Sequence, residues 1–232
     1  MNTSRKTAII VGVLFIVGTV AGALSVAVSG SILGDPDYLI SFSEHPSQII
    51  IGELLILIMA FALAMVPVML FPILKKQNEA LALGSVVFRG ALEAVTYIGI
   101  VICWLLLITL SQEYVKAGAL DAANFQTLGV LLREAVHWIE QILDIVFPLG
   151  ALMIYYLFYQ SRLIPRWLSV WGLLGAILYL APPMFVLFGS ELELGILMGP
   201  LAVQEMVFAL WLIVKGFNPS EIASLSAETA IN

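Results

Sequence analysis

The sequence predicts an all-α, polytopic membrane protein: a bundle of six transmembrane helices with the N and C termini both cytoplasmic. Three observations predict it. The 232 residues are 61% hydrophobic and only 11% charged, whereas soluble domains carry about 25% charged residues. The apolar residues fall into runs at about Thr7–Val28, Gln48–Leu74, Leu81–Leu110, Glu134–Tyr159, Trp167–Phe188 and Leu194–Val214, each near the roughly 20 residues that a spanning helix needs. Within a run the hydrophobicity is continuous, without the alternating period of a lipid-facing barrel strand.

A further observation, the placement of loop charge, gives the orientation. Arg5 and Lys6 precede the first run, Lys75 and Lys76 separate the second and third, Arg162 and Arg166 separate the fourth and fifth, and Lys215 follows the sixth. The opposite loops hold Lys116 and Arg133 among the acids Asp35, Asp37, Glu44, Glu113, Asp121, Glu191 and Glu193. Basic residues stay on the cytoplasmic side, so this bias orients the chain. Residues 1–217 read as one transmembrane domain and 218–232, small and polar, as a flexible cytoplasmic tail. No polar stretch is long enough for a separate soluble core. The net charge of −6 is uninformative about partners. Cys103 is the sole cysteine and forms no intrachain disulfide.

The first run follows Arg5-Lys6 as a secretory signal would, but it exceeds the roughly 7–15 apolar residues of a signal and reads as a retained helix. Its Gly18-Thr-Val-Ala-Gly22 pattern allows close helix approach. The first outer loop, Gly34 to Gln48, carries two prolines and several capping residues and is expected to hold a short interfacial helix. Pro67 and Pro72 are expected to bend the second helix or end it early, and Pro182 and Pro183 the fifth. Ser111–Leu132 reads as the longest outer loop.

The fourth run opens on REAVHWIEQILD, Arg133 to Asp144. At about 100° per residue, Arg133, His137, Glu140 and Asp144 share one stripe, bordered by Gln141. Such a stripe must face protein or a watery cavity. The third run has its own stripe of Ser85, Arg89, Glu93, Thr96, Tyr97 and Cys103. Embedded charges comprise Glu53, Arg89, Glu93, Glu140, Asp144 and Glu205, with His137 near the outer boundary. Each costs about 2.5–3.5 kcal/mol at the bilayer centre, so they are expected to converge. The expected site is an acidic cavity opening outward and closed toward the cytoplasm. Its ligand- or proton-binding residues are Glu53, Arg89, Glu93, Tyr97, His137, Glu140, Asp144 and Glu205.

A plainer reading and a sharper one stand beside it. Arg89 and Glu93, four residues apart, suit a structural ion pair, with Glu205 as the arginine's second partner. Glu134-Ala-Val-His137 has the Glu-x-x-His spacing of carboxylate-bridged metal bundles, so a divalent metal held by His137, Glu140, Asp144 and His45 is the cofactor these residues suggest. Haem fits less well, since one histidine lies in a loop. Phosphate-binding glycine loops, CxxC pairs and nucleophile elbows are absent from the sequence. Arg162 and Arg166 with Trp167 and Trp171 read as an interface anchor, with anionic lipid headgroups as a second reading. A three-plus-three repeat is hinted at by the proline pairs and by Glu93 and Glu205, but no residue-level similarity accompanies it.

The runs LFYQSRLIPRWLSVWGLLGAILYL (Leu157–Leu180), QEMVFALWLIVKGFNPS (Gln204–Ser220) and VFRGALEAVTYIG (Val87–Gly99) resemble the prokaryotic membrane-protein family catalogued as domain of unknown function four-three-eight-six. The resemblance covers nearly the whole chain. Its pattern includes Arg89 and Glu93 in the third helix, the Pro165-Arg-Trp-Leu168 step and the late Glu205. It implies a small multi-pass protein of a prokaryotic cell (inner) membrane and brings no reaction, substrate or cofactor. Three functions follow from the residues: binding or transport of a small cationic or amphipathic ligand, coupled to protons; a metal-dependent enzyme acting on lipid; or an accessory subunit whose buried charges lock helix packing. Membrane lipid, a small-molecule ligand and a second copy of the chain are the partners considered; nucleic acid is not.

Overall fold

The computed structural model describes residues 3–118, 122–189 and 194–231, and every regular element among them is helical. Asp121, Glu191 and Glu193, counted above among the outer-loop acids, lie outside the described residues. In order, the elements are α1 (Thr3–Leu33), α2 (Tyr38–Glu44), α3 (Pro46–Leu74), α4 (Glu79–Ser85), a π-helical segment (Val86–Leu92), α5 (Glu93–Ala117), α6 (Ala122–Ser161), α7 (Arg166–Leu187), a 3₁₀ turn (Gly195–Met198), α8 (Gly199–Val214) and α9 (Pro219–Ile231). Six stretches are long and apolar enough to cross a membrane: Thr3–Leu33, Pro46–Leu74, Glu79–Ala117, Ala122–Ser161, Arg166–Leu187 and Gly195–Val214. They match the six apolar runs one for one. No more than half of any span's most apolar window is buried. Large side chains such as Val26, Phe61, Val95 and Leu174 point outward, as they do where lipid is the solvent. This is a multi-pass helical membrane protein.

Two boundary expectations change. The stretch expected as the longest outer loop, Ser111–Leu132, is mostly helix, because α5 runs on to Ala117 and α6 begins at Ala122. Apolar spacing is the reason: Leu110, Tyr114, Phe125 and Leu132 pack against a core of Tyr38, Leu39, Phe42, Leu107 and Ile108. The 40 residues of α6 measure about 60 Å at ~1.5 Å per residue, twice the roughly 30 Å hydrocarbon layer. The prolines do not end their helices. Pro67 and Pro72 lie inside α3, and Pro182 and Pro183 inside α7. Membrane helices tolerate proline where neighbouring groups satisfy the freed carbonyls. Pro148, not singled out in the sequence, lies inside α6 and removes the helical bond to the carbonyl of Asp144. The loop between the first and second spans holds the expected short helix, α2.

The chain forms two compact units. The first comprises Met1–Val17, Ala62–Ala94 and Gln141–Asn232. Here α7 packs on α8, and α1 meets α8 at Gly12, where an added Cβ would fall 2.6 Å from the Ala209 carbonyl oxygen. Gly12 thus makes a close approach that the Gly18–Gly22 pattern did not indicate. Arg5 donates to the carbonyls of Leu212 (3.0 Å), Ile213 (2.6 Å) and Val214 (3.2 Å), capping the negative end of α8. Beyond Asn218 the chain continues as α9, with Leu225 buried.

The second unit comprises Gly18–Phe61 and Val95–Glu140. Gly22 admits the Met59 thioether, which a Cβ would meet at 2.6 Å. Gly129 admits the Tyr38 ring, and the Arg133 guanidinium stands over that ring at 4.7 Å. Burial pushes the Tyr38 phenol up, with Arg133 pulling the other way.

Candidate functional site

In the first unit the chemistry gathers on Arg89. Its residue is 1% exposed and is among the largest fully buried side chains. One terminal nitrogen, Nη1, donates to both carboxylate oxygens of Glu93, at 3.0 and 2.9 Å. The other, Nη2, donates to Glu205 Oε1 at 2.8 Å. The Phe147 ring centroid lies 4.0 Å from Cζ and that of Phe15 5.9 Å away, so the cation also has aromatic neighbours. Charge-assisted bonds of this length are the strong kind. A guanidinium suits the position because it stays charged and spreads several donors in a plane.

Backbone geometry seats this group. Arg89 lies at the middle of the π-helical Val86–Leu92 segment, and the Glu93 N–H reaches back to the Phe88 carbonyl, five residues away, as well as to Gly90. Such wide turns occur within α-helices and are frequent at functional sites. From α6, Gly150 presses on the segment: an added Cβ would lie 2.7 Å from Arg89 N and 2.8 Å from Arg89 Cβ. Asp144 is one layer away. Its Oδ1 accepts from the Tyr179 hydroxyl at 3.0 Å, the Tyr179 ring meets Phe147 edge-on at 4.9 Å, and Phe147 covers Arg89. Tyr155, buried and seated against Gly172, lies within electrostatic reach of both Glu205 and Arg89. Gln204 is fully buried and donates to the Leu168 carbonyl at 3.1 Å.

The family model described as Domain of unknown function (DUF4386) matches residues 10–216. This chain belongs to the DUF4386 family. The match takes in most of the first span, the whole of the other five, and Arg89, Glu93 and Glu205. No curated protein and no solved structure matches the chain.

The other expected site residues of this DUF4386 protein lie in its second unit. Glu53 is buried, at 2% exposure, and its Oε2 has no hydrogen-bond partner among the described residues. Tyr97 and His137 are half-buried and Glu140 is exposed. The His137 ring meets Trp138 edge-on at 5.2 Å, and His45 Nδ1 lies 3.2 Å from the Ser41 carbonyl oxygen. Among the described residues no three His, Cys, Asp or Glu side chains come together as a metal-ligand group. The structure therefore brings Arg89, Glu93 and Glu205 into direct contact and adds Asp144 through two rings. Phe147, Gly150, Tyr155 and Tyr179 were not read from the sequence. Each is an unremarkable residue within an apolar run, and the only available hint was the placement of Gly150 and Gly172 in otherwise bulky helices.

Proposed function

We propose that this protein binds or transports a small cationic ligand in the membrane and exchanges a proton at the Arg89–Glu93–Glu205 group as it does so. One observation carries the reading: a single buried guanidinium serves two carboxyl groups. Ionised together, the three leave one negative charge inside a hydrocarbon layer, where a proton or a bound cation must offset it. Asp144 and the Tyr179 hydroxyl extend the polar path, with Phe147 between them and the arginine. The basic residues at Arg5, Lys6, Lys75, Lys76, Arg162, Arg166 and Lys215 favour cytoplasmic termini, and we assign the protein to a prokaryotic inner membrane on the family's character.

The test is proton movement in proteoliposomes, read with a trapped pH-sensitive dye while a panel of small organic and inorganic cations is added outside. A cation-driven pH change, abolished in Glu205→Gln without loss of fold, is the expected result. No pH change with any cation, or an identical response from Glu205→Gln, overturns the proposal. A second reading is favoured by the fit at Gly150, where backbone and arginine are in tight contact: the charges lock helix packing in an accessory subunit. Under that reading Glu205→Gln lowers thermal stability and changes no flux.

A further inference from the structure

We propose that the turn between α6 and α7, together with the end of α8, forms a binding site for the phosphate-bearing headgroup of an anionic phospholipid. The chain builds a cavity of ≈ 520 Å³ there, with Arg162, Arg166, Lys215, Trp211, Asn218 and Glu221 among its lining residues. Three cations face one carboxylate.

Local structure explains why those cations are free to act. Helix α6 stops at Ser161, and Arg162 takes φ 53°, the left-handed conformation that commonly ends a helix. Its N–H still reaches the Phe158 carbonyl at 3.0 Å. Leu163 and Ile164 then turn into the core, both almost fully buried, and Pro165 stands at the N-cap of α7. This plug of two apolar residues leaves Arg162 on the outside. The Asn218 N–H donates to the Leu163 carbonyl at 2.8 Å, tying the turn to the segment after α8. Arg166 stands over the Tyr159 ring at 5.2 Å. Among the described residues the side chains of Arg162 and Lys215 make no hydrogen bond or ion pair with protein.

Two features fit a lipid in particular. The cavity lies where two spans end and a third begins, and Trp167, 52% exposed, contacts Trp171 and Trp211 beside it. Tryptophans of this kind mark the headgroup level of a bilayer. The negative carbonyl end of α8 would repel a phosphate, but Arg5 already caps it. A basic pocket between membrane helices on one face is the recognised setting for anionic headgroups.

The experiment is native mass spectrometry of the full-length protein extracted with an equimolar mixture of phosphatidylglycerol and phosphatidylcholine, counting lipids retained. Wild type is expected to keep phosphatidylglycerol preferentially. Arg162→Asn with Lys215→Gln should reduce that retention on the order of tenfold, given the worth of two basic side chains near the headgroups; asparagine keeps the left-handed backbone at 162. Glu221→Gln should raise it. Lys75→Gln with Lys76→Gln removes the same charge elsewhere and should change it less than about twofold. Equal retention of the two lipids by wild type, or equal losses in both double variants, overturns the proposal. So does displacement of phosphatidylglycerol by inorganic phosphate at millimolar concentration, which would assign the site to the free anion.

Discussion

The Phe147 ring centroid lies 4.0 Å from the guanidinium carbon of Arg89, so the arginine is held by carboxylates through its nitrogens and by an aromatic ring through its carbon. The two arrangements are complementary: hydrogen bonds use the edge of the group, and the ring meets the low-hydration centre that an ammonium lacks. A lysine cannot reproduce both.

Arg89→Ala is expected to be the most damaging change in the first unit. It strands Glu93 and Glu205 without their cation, and breaking a buried pair by removing one partner costs about 3–5 kcal/mol. Arg89→Lys should recover part of the loss. Thermal unfolding of the detergent-purified variants checks the order; an alanine variant as stable as the lysine variant would contradict it.

Gly150→Ala should destabilise by about 1–3 kcal/mol, the usual cost of overpacking, because its Cβ would meet Arg89 backbone that cannot swing away. Gly84→Ala is the matched control. There the new methyl meets the Met153 sulfur at 2.8 Å, and a flexible thioether can move aside. Comparable melting shifts for the two variants would show that the contact at Gly150 is not special.

A double-mutant cycle with Asp144→Asn and Tyr179→Phe should give a coupling of roughly 0.6–1.7 kcal/mol, the range for hydrogen bonds between membrane helices. The carboxylate accepts from the hydroxyl at 3.0 Å. Strictly additive melting shifts would show that the bond is not made in the membrane.

Glu53→Leu should leave stability unchanged or raise it by about 1–3 kcal/mol, since it removes a buried oxygen that lacks a partner. If the same substitution also abolishes the proton response in proteoliposomes, the carboxyl is retained for function against stability. A large fall in melting temperature would contradict the expectation.

The segment around α2 should loosen in acid. The Ser41 hydroxyl, with the Asp37 N–H, holds the Asp35 carboxyl below the usual carboxylate range. A carboxyl lowered in the fold contributes above its unfolded pKa and loses that contribution as pH falls through the folded value. Amide exchange across residues 35–41, corrected for intrinsic rates, should therefore rise only below about pH 4. Ser41→Ala, which removes the larger cause, should move the onset upward.

Much of the fold was legible because hydrocarbon imposes one demand, continuous apolar length, and six runs meet it. Part of the site was legible for a related reason. Arg89 and Glu93 fall on one face by spacing, and Glu205 is a third charge that lipid will not accept. What decided the rest was contact between helices. Nothing in Leu-Arg-Glu-Ala-Val-His distinguishes a ligand-forming stripe from a half-exposed one, and nothing in Asp-Ile-Val-Phe-Pro-Leu-Gly announces that Phe147 and Gly150 meet an arginine. Of the two expected effects of the proline pairs, bending or early ending, the second does not occur, because neighbouring groups in a membrane bundle can satisfy the freed carbonyls.

The widened turn at Val86–Leu92 has a consequence for how the third span is built. Closing each loop five residues back instead of four stores one surplus residue in the backbone. Deleting a single position there would let the segment return to ordinary α pitch while the residues after it keep their facing. The same deletion within a regular α-helix would instead turn everything beyond it by about 100°. The widened turn is thus a place where the third span can lose one residue without rotating Tyr97 or Cys103, because the backbone beside the buried arginine absorbs the count.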